Sequence, residues 1–305
     1  MSIMVLAAAA LAAGMFACPA HAPPETTYHE LVVAGVRLFY REAGCRGAPT
    51  IVLLHGYPSS SRMYEPLFPL LAKHYHLIAP DYPGFGHSDA PSPLRFAYTF
   101  DHLAQVMEAL LSSLGIERYV LLMQDYGGPV GFRMAMRRPG KITAIIVQNA
   151  NAYEEGLGPK WDGIARYWAD RGAHEEQVDA FMSLEGARQR HVGNSPNADR
   201  YNPDSWTDEF TFLSRPGQRR IQADLLYDYR NNIVSYPEWQ AWLRARRPPL
   251  LVLWGRYDPS FIIPGARAFA RDVPDAEIHI LAAGHFALDE KTEQVGGLVL
   301  DFLKR

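Results

Sequence analysis

The sequence predicts an α/β protein with a mostly parallel central sheet, helices on both faces of that sheet and an inserted helical lid. Short apolar runs typical of buried parallel strands recur along the chain, at residues 50–54, 76–79, 119–123, 142–147, 250–254 and 278–281. Helical patterns lie between these runs, most clearly at residues 100–114, where apolar residues recur every three or four positions. This alternation stops between residues 150 and 245, and the interruption predicts the lid.

The predicted elements follow a simple order. Residues 31–33 and 36–40 flank Ala34-Gly35, which predicts a β-hairpin before the first apolar strand. Residues 28–149 form the first part of the predicted core, and residues 246–305 form the second. The lid at 150–245 is rich in Trp, Tyr, Arg and Asp and shows no strand alternation. Because the strand–helix pattern resumes at Pro248, we interpret the lid as an insertion that returns to the same sheet.

Residues 1–25 stand apart from this pattern. Residues 3–17 carry no charged side chain, and Ala20-His21-Ala22 supplies a small-x-small cleavage pattern. The apolar stretch has the length of a signal-peptide core and is too short to span a bilayer comfortably. It predicts export to the periplasm or the medium. The alternative is a disordered extension on a cytoplasmic protein.

Composition and charge are those of an ordinary enzyme. The chain has 305 residues, 48% apolar and 21% charged, with a net charge of −3. The densest basic stretch, residues 244–247, directly precedes a predicted strand and is interpreted as a solvated helix end. We therefore expect no nucleic-acid partner, and no membrane partner beyond an export signal.

The first candidate catalytic residue is Asp125. A predicted strand runs directly into it, and Tyr126, Gly127 and Gly128 follow before a helix that begins near Pro129. This strand–turn–helix context is typical of a nucleophile elbow, with Asp where ester hydrolases carry Ser. The positive end of the helix dipole would favour the ionised carboxylate. The alternative for Asp125 alone is a helix N-cap.

Two further strand ends make the catalytic interpretation stronger. Asp258 follows the strand at 250–254, and His285 stands in a Gly-flanked loop after the last strand. The chain order nucleophile, acid, histidine is the order of a catalytic triad built on a nucleophile elbow. The coincidence of strand end, residue type and chain order favours a triad of Asp125, Asp258 and His285.

An oxyanion hole is predicted beside the triad. The backbone N–H groups of Tyr57 and Tyr126 are its candidate donors, and one such donor is typically worth about 3 to 4 kcal/mol. His55, in the motif His55-Gly56-Tyr57-Pro58, is expected to hold the loop that shapes the hole.

Four motifs together carry a family resemblance: residues 55–58 (HGYP), 81–88 (DYPGFGHS), 124–128 (QDYGG) and 284–286 (GHF). With them the chain, from about residue 28 to 305, resembles the carboxylate-nucleophile branch of the α/β-hydrolase superfamily. This branch includes epoxide hydrolases and haloalkane dehalogenases. The resemblance implies the α/β-hydrolase fold with a helical lid.

A carboxylate nucleophile suits substitution at a saturated carbon. Attack by Ser would leave an ether, which water cannot cleave, whereas attack by Asp125 leaves an ester that water opens at the enzyme's own carbonyl. His285, oriented by Asp258, would be the general base on that water. This mechanism requires no cofactor, neither metal nor organic, and no metal-ligand spacing is visible in the sequence.

Epoxide hydrolysis is the favoured reaction. An epoxide oxygen leaves as an alkoxide and needs an acid, which epoxide hydrolases supply from lid tyrosines. Tyr229, in Tyr229-Arg230-Asn231, is similar to the segment that carries one such tyrosine, and Tyr167 is a candidate second donor. The alternative for both residues is aromatic packing. The expected substrate is a small to medium apolar molecule.

Haloalkane dehalogenation is the runner-up. Trp161, Trp168 and Trp206 lie in the predicted lid and offer indole N–H groups for a halide. The position after the nucleophile, which carries Trp in most members of both groups, is Tyr126 here. A third interpretation, favoured least, is a non-catalytic hydrolase-fold protein that binds a ligand without turnover.

Overall fold

The computed structural model describes residues 25–305, so the predicted signal peptide lies almost entirely outside the described residues. An eight-stranded sheet has the order β1-β2-β4-β3-β5-β6-β7-β8. Strands β1 and β2 are antiparallel, as are β2 and β4, and every other neighbouring pair is parallel. The strands are β1 (Thr27–Val33), β2 (Val36–Ala43), β3 (Thr50–Leu54), β4 (His76–Pro80), β5 (Tyr119–Gln124), β6 (Ile142–Gln148), β7 (Leu250–Gly255) and β8 (Glu277–Leu281).

The helices fill the connections between strands. They are α1 (Phe68–Leu71), α2 (Phe100–Ser113), α3 (Gly127–Arg137), α4 (Trp161–Ala169), α5 (Glu176–Met182), α6 (Leu184–Val192), α7 (Pro203–Leu213), α8 (Gln218–Asp228), α9 (Arg230–Arg246), α10 (Ile263–Asp272) and α11 (Leu288–Leu303). Within residues 25–305, no helix combines the length and the apolar character that crossing a membrane requires.

The central strands are apolar throughout because both faces of the sheet are covered. In β3, Val52 and Leu54 belong to one hydrophobic cluster, while Ile51 and Leu53 belong to the cluster on the opposite face. Successive side chains of a strand point to opposite faces, so a doubly covered strand needs an apolar residue at every position. The predicted α/β class and mostly parallel sheet are confirmed.

The hairpin that opens the sheet depends on its turn. Ala34 and Gly35 connect β1 to β2, and both have positive φ, at 50° and 78°. Two central residues with positive φ give the turn a twist that matches the flanking strands. Val33 and Val36 are paired directly beside the turn, which sets the register.

Helices α4 to α9 lie between β6 and β7, in the region where the sequence predicts the lid; we call them the helical insertion. One anchor of the insertion is His191 on α6. Its Nδ1 lies 2.7 Å from Asp289 on α11, and its Nε2 lies 2.9 Å from Glu209 on α7. Burial would lower the pKa of His191, but the two carboxylates raise it to about 10. A charged imidazole thus links the insertion to the last helix of the core.

Candidate active site

Asp125 lies at the sharp turn between β5 and α3. Its φ is 47°, in the left-handed region that Asp tolerates better than most residues. The turn is tight: a Cβ on Gly127 would lie 2.0 Å from the Leu54 carbonyl oxygen, and one on Gly56 would lie 2.4 Å from the Asp125 Cβ. Neither position can hold a larger residue in this geometry, which explains the glycines in both motifs.

The two carboxylate oxygens of Asp125 have different surroundings. Oδ1 accepts a hydrogen bond of 2.8 Å from the Tyr57 backbone N–H, whereas Oδ2 lies 3.5 Å from His285 Nε2. Burial would raise the pKa of Asp125, but the hydrogen bond and charge of His285, with the backbone N–H groups of Tyr57 and Tyr126, lower it overall. The Tyr57 amide holds Oδ1, which leaves Oδ2, the oxygen facing His285, as the candidate to react.

His285 is held by Asp258. Its Nδ1 lies 2.7 Å from Asp258 Oδ2, and both side chains are buried. The other oxygen of Asp258 accepts hydrogen bonds from the backbone N–H groups of Ser260 and Phe261, at 2.6 and 3.0 Å. A carboxylate fixed in this way orients the imidazole and stabilises its protonated form. The structure thus brings Asp125, His285 and Asp258 together in hydrogen-bonding order.

The charges around His285 determine its protonation. Burial would lower its pKa, but the Asp258 charge, together with the hydrogen bond and charge of Asp125, raises it to about 9. At neutral pH the resting site therefore holds an imidazolium between two carboxylates.

Sequence reasoning missed Asn149. This residue follows β6, and its Nδ2 donates a hydrogen bond of 2.7 Å to Asp258 Oδ2. Its Oδ1 accepts one of 2.9 Å from the Gly255 backbone N–H, and its φ is 44°. Asn149 thus fixes the oxygen of Asp258 that also contacts His285. Its place at a strand end was the available signal.

Tyr229 lies at the α8–α9 junction and is fully buried. Its ring packs against Trp161 and Tyr126, with centroids 4.6 and 5.9 Å apart. Burial, then the neighbouring Tyr236 and the Asp125 charge, raise the pKa of Tyr229 well above its ordinary value. The hydroxyl therefore carries its proton at neutral pH, and the charge of Asp125 acts on it electrostatically.

Tyr236 is the second residue that sequence reasoning missed. Its hydroxyl oxygen lies 3.5 Å from that of Tyr229 and accepts a hydrogen bond of 3.3 Å from Asn151 Nδ2. Asn151, Tyr236 and Tyr229 form a polar chain, and Tyr229 is the member packed against Tyr126 of the elbow. Because Tyr236 lies about two turns of α9 beyond Tyr229, no local motif marked it.

The structure gives Tyr167 other partners than the triad. Its hydroxyl donates a hydrogen bond of 3.1 Å to the Ala223 carbonyl and accepts one from Arg171 Nε at 3.1 Å. Its ring lines a surface cavity with Arg171, Glu175 and Ala223, and that cavity includes no triad residue. In this structure the Tyr167 hydroxyl joins α4 to α8, and its role as a second acid stays a prediction.

Two of the three candidate halide-binding tryptophans use their indole N–H groups elsewhere. Trp161 donates to the Ser260 carbonyl at 2.9 Å, and Trp168 donates to the Leu226 carbonyl at 2.7 Å. Trp206 packs near His191, with ring centroids 6.0 Å apart. Within residues 25–305, no cluster of three or more His, Cys, Asp or Glu side chains could hold a metal ion.

The comparisons with known proteins agree with this architecture. A family model described as alpha/beta hydrolase fold matches residues 49–292. An uncharacterized hydrolase of Saccharomyces cerevisiae is 42% identical over 269 residues, covering 86% of this chain and 92% of its own. A haloalkane dehalogenase of Psychrobacter cryohalolentis is 26% identical, covering 88% of each chain. Epoxide hydrolase 3 of Xenopus tropicalis is 27% identical, covering 91% of this chain and 77% of its own. The protein is therefore a hydrolase that belongs to the α/β-hydrolase fold family.

Proposed function

We propose that this hydrolase opens epoxides to diols through an alkyl ester on Asp125. The observation that carries the proposal is that the two oxygens of the Asp125 carboxylate have different neighbours. The Tyr57 backbone N–H holds Oδ1, His285 faces Oδ2, and the protonated Tyr229 is close enough for the carboxylate charge to act on its pKa. A nucleophile, an acid and a base are thus available in one buried site.

In the first step, Asp125 Oδ2 attacks an epoxide carbon while the carbon–oxygen bond of the ring breaks. Tyr229 donates its proton to the departing oxygen, which becomes the first hydroxyl of the diol. The phenolate left behind accepts a hydrogen bond from Tyr236, whose own oxygen is held by Asn151. Such a chain stabilises the charge that develops on Tyr229.

In the second step, His285 removes a proton from water, and the resulting hydroxide attacks the ester carbonyl. The Tyr57 and Tyr126 amides stabilise the oxyanion. Collapse of the intermediate releases the diol and restores the carboxylate. The proton that the imidazolium of His285 loses after ester formation replaces the one that Tyr229 gave up. The proton that His285 then takes from water restores the imidazolium, so the net reaction is addition of one water to the epoxide.

The second step requires a neutral His285, whereas the resting site holds an imidazolium, and ester formation on Asp125 supplies the change. In the resting site the anionic Asp125 contributes to raising the pKa of His285 to about 9. Ester formation removes that negative charge, so the pKa of His285 falls. The imidazole can then lose its proton and act as the base when the ester is present.

Dehalogenation is the second candidate, because the same Asp-His-Asp set serves it and one relative is a dehalogenase. Epoxide hydrolysis is favoured over dehalogenation, because the indole N–H groups of Trp161 and Trp168 already donate hydrogen bonds to backbone carbonyls. A halide would find no free donor on either tryptophan.

A paired screen with one variant tests the proposal. The wild type is expected to form diol from terminal epoxides, and Tyr229→Phe should slow that reaction by about 10²-fold or more, because the alkoxide loses its acid. Tyr227→Phe, a half-buried tyrosine two positions earlier, is the matched control and should stay within a few-fold of wild type. Halide release from haloalkanes without diol formation would reverse the ranking of the two reactions.

A further inference from the structure

Two cations, Lys160 and Arg190, line one cavity of about 230 Å³ in the helical insertion. Lys160 directly precedes α4, and Arg190 lies on α6. Apolar side chains complete much of the wall, namely Ile164, Ala180, Phe181 and Pro259. The cavity therefore combines two positive charges with surface suited to an aliphatic chain.

Arg190 is a buried charge without a counterion among residues 25–305. Its exposed fraction is 7%, and its guanidinium carbon lies 4.3 Å from the Phe181 ring centroid and 4.6 Å from that of Tyr57. Its Nη1 donates a hydrogen bond of 2.8 Å to the Gly186 carbonyl on the same helix. Among residues 25–305, no carboxylate oxygen lies within 4.0 Å of it. Buried guanidinium groups are normally paired, because desolvating an unpaired charge is costly.

Lys160 adds a second positive charge to the same space. Its Nζ donates a hydrogen bond of 2.5 Å to Ser260 Oγ, and within the described part of the chain it too forms no ion pair. Burial and then the charge of Arg190 lower the pKa of Lys160 to about 8, against the opposing pull of Asp258 and Asp125. The positive charges of Lys160 and Arg190 therefore repel each other, and an anion bound between them would stabilise both.

No triad residue lines the cavity, so its connection to the reacting carboxylate of Asp125 is indirect. Tyr57 joins them, since its ring stacks under Arg190 while its backbone N–H holds Asp125 Oδ1. The Tyr126 hydroxyl, buried and without a hydrogen-bond partner in residues 25–305, also feels the charge of Arg190. For one molecule to fill the cavity and react at Asp125, its chain must pass Tyr57.

We propose that the substrate carries a carboxylate, which Arg190 and Lys160 bind while the epoxide lies at Asp125. This inference rests on the proposed function and refines its substrate class, from a wholly apolar molecule to an apolar chain with an anionic end. The free N–H groups of the guanidinium and the Lys160 ammonium match the oxygens of a carboxylate. The Ile164, Ala180 and Pro259 side chains suit the methylenes beside it.

A matched substrate pair tests the proposal on the wild type. We expect a straight-chain terminal epoxide ending in a carboxylate to be hydrolysed with at least about tenfold higher kcat/KM than the same epoxide ending in a primary amide, because charged hydrogen bonds are worth more than neutral ones. Equal kcat/KM values for the two, or preference for the amide, would overturn the carboxylate subsite and leave epoxide hydrolysis intact.

Charge variants assign the effect to the two cations. Arg190→Gln and Lys160→Gln should each raise KM for the carboxylate substrate by about tenfold or more and change KM for the amide little. Arg190→Lys should recover part of the loss. Arg188→Gln is the control, since Arg188 lies on the same helix but is half-buried and paired with Glu185. Equal losses on both substrates would mean that Arg190 and Lys160 only support the fold.

A binding measurement separates failure of this inference from failure of the proposed function. Hexanoate should raise the Tm of the wild type more than hexanamide at equal concentration, and Arg190→Gln should abolish the difference. If no epoxide is converted but hexanoate stabilises selectively, the subsite stands and the reaction is wrong. If diol forms but hexanoate and hexanamide act alike, the subsite is wrong and the reaction stands.

Discussion

Asp125→Asn is expected to reduce diol formation by about 10⁴-fold or more, since removal of a covalent nucleophile leaves only the effects of binding and the oxyanion hole. Asn keeps the size of the side chain and tolerates the left-handed backbone that residue 125 adopts. Its amide is too weak a nucleophile to open the epoxide. Steady-state diol formation on the same epoxide measures the loss.

The controls for this variant concern folding and surface charge. Asp162→Asn makes the same chemical change at an exposed position on α4, and its activity should match that of the wild type. The thermal unfolding of Asp125→Asn should remain cooperative. A folded Asp125→Asn enzyme that retains a tenth of the wild-type rate would remove Asp125 from the role of nucleophile.

His285→Gln is expected to separate the two halves of the reaction. The first step does not require the imidazole as a base, so the epoxide should still alkylate Asp125. The second step does, and its loss should reduce turnover by about 10² to 10⁴-fold. The enzyme should therefore accumulate as an ester, with a mass increase equal to that of the epoxide, visible by intact-protein mass spectrometry and located on Asp125 by peptide mapping.

His279→Gln provides the matched comparison for this trapping experiment. His279 lies on β8, pairs with Glu277 and contacts no member of the triad. The His279→Gln enzyme should hydrolyse the epoxide at the wild-type rate and show no adduct. Normal turnover by His285→Gln, or an unmodified mass after incubation with an epoxide that the wild type consumes, would contradict the role assigned to the imidazole.

The parts that the sequence predicts well are those in which local chemistry dictates local structure. A strand covered on both faces must be apolar at every position, so β3 and β5 are recognisable from their composition alone. The Asp125 turn requires glycine where a side chain would meet the Leu54 carbonyl, so the motif itself records the constraint. The chain order nucleophile, acid, histidine then predicts that Asp258 and His285 form a triad with Asp125.

The parts that escape prediction depend on contacts between distant segments. Tyr236 matters because α9 brings its hydroxyl beside that of Tyr229 and the side chain of Asn151, which is 85 positions away in the chain. In the sequence, nothing distinguishes Arg190 from a surface arginine. In the structure, the packing of α6 buries its side chain over the Tyr57 ring. Tyr167 illustrates the converse case. Its sequence position was suitable, but α8 presents the Ala223 carbonyl to its hydroxyl.

The central claim is that a side-chain oxygen of Asp125 joins the substrate and that water then cleaves the ester at the carbonyl carbon of Asp125. The most direct test is repeated turnover in heavy-oxygen water, followed by proteolysis and mass analysis of the peptide that contains Asp125. Each cycle exchanges a carboxylate oxygen with solvent, so we predict that the label accumulates in that residue and that an unreacted sample stays unlabelled. A peptide without label after many cycles, with labelled diol as the product, would mean that water attacks the substrate directly and would contradict the account.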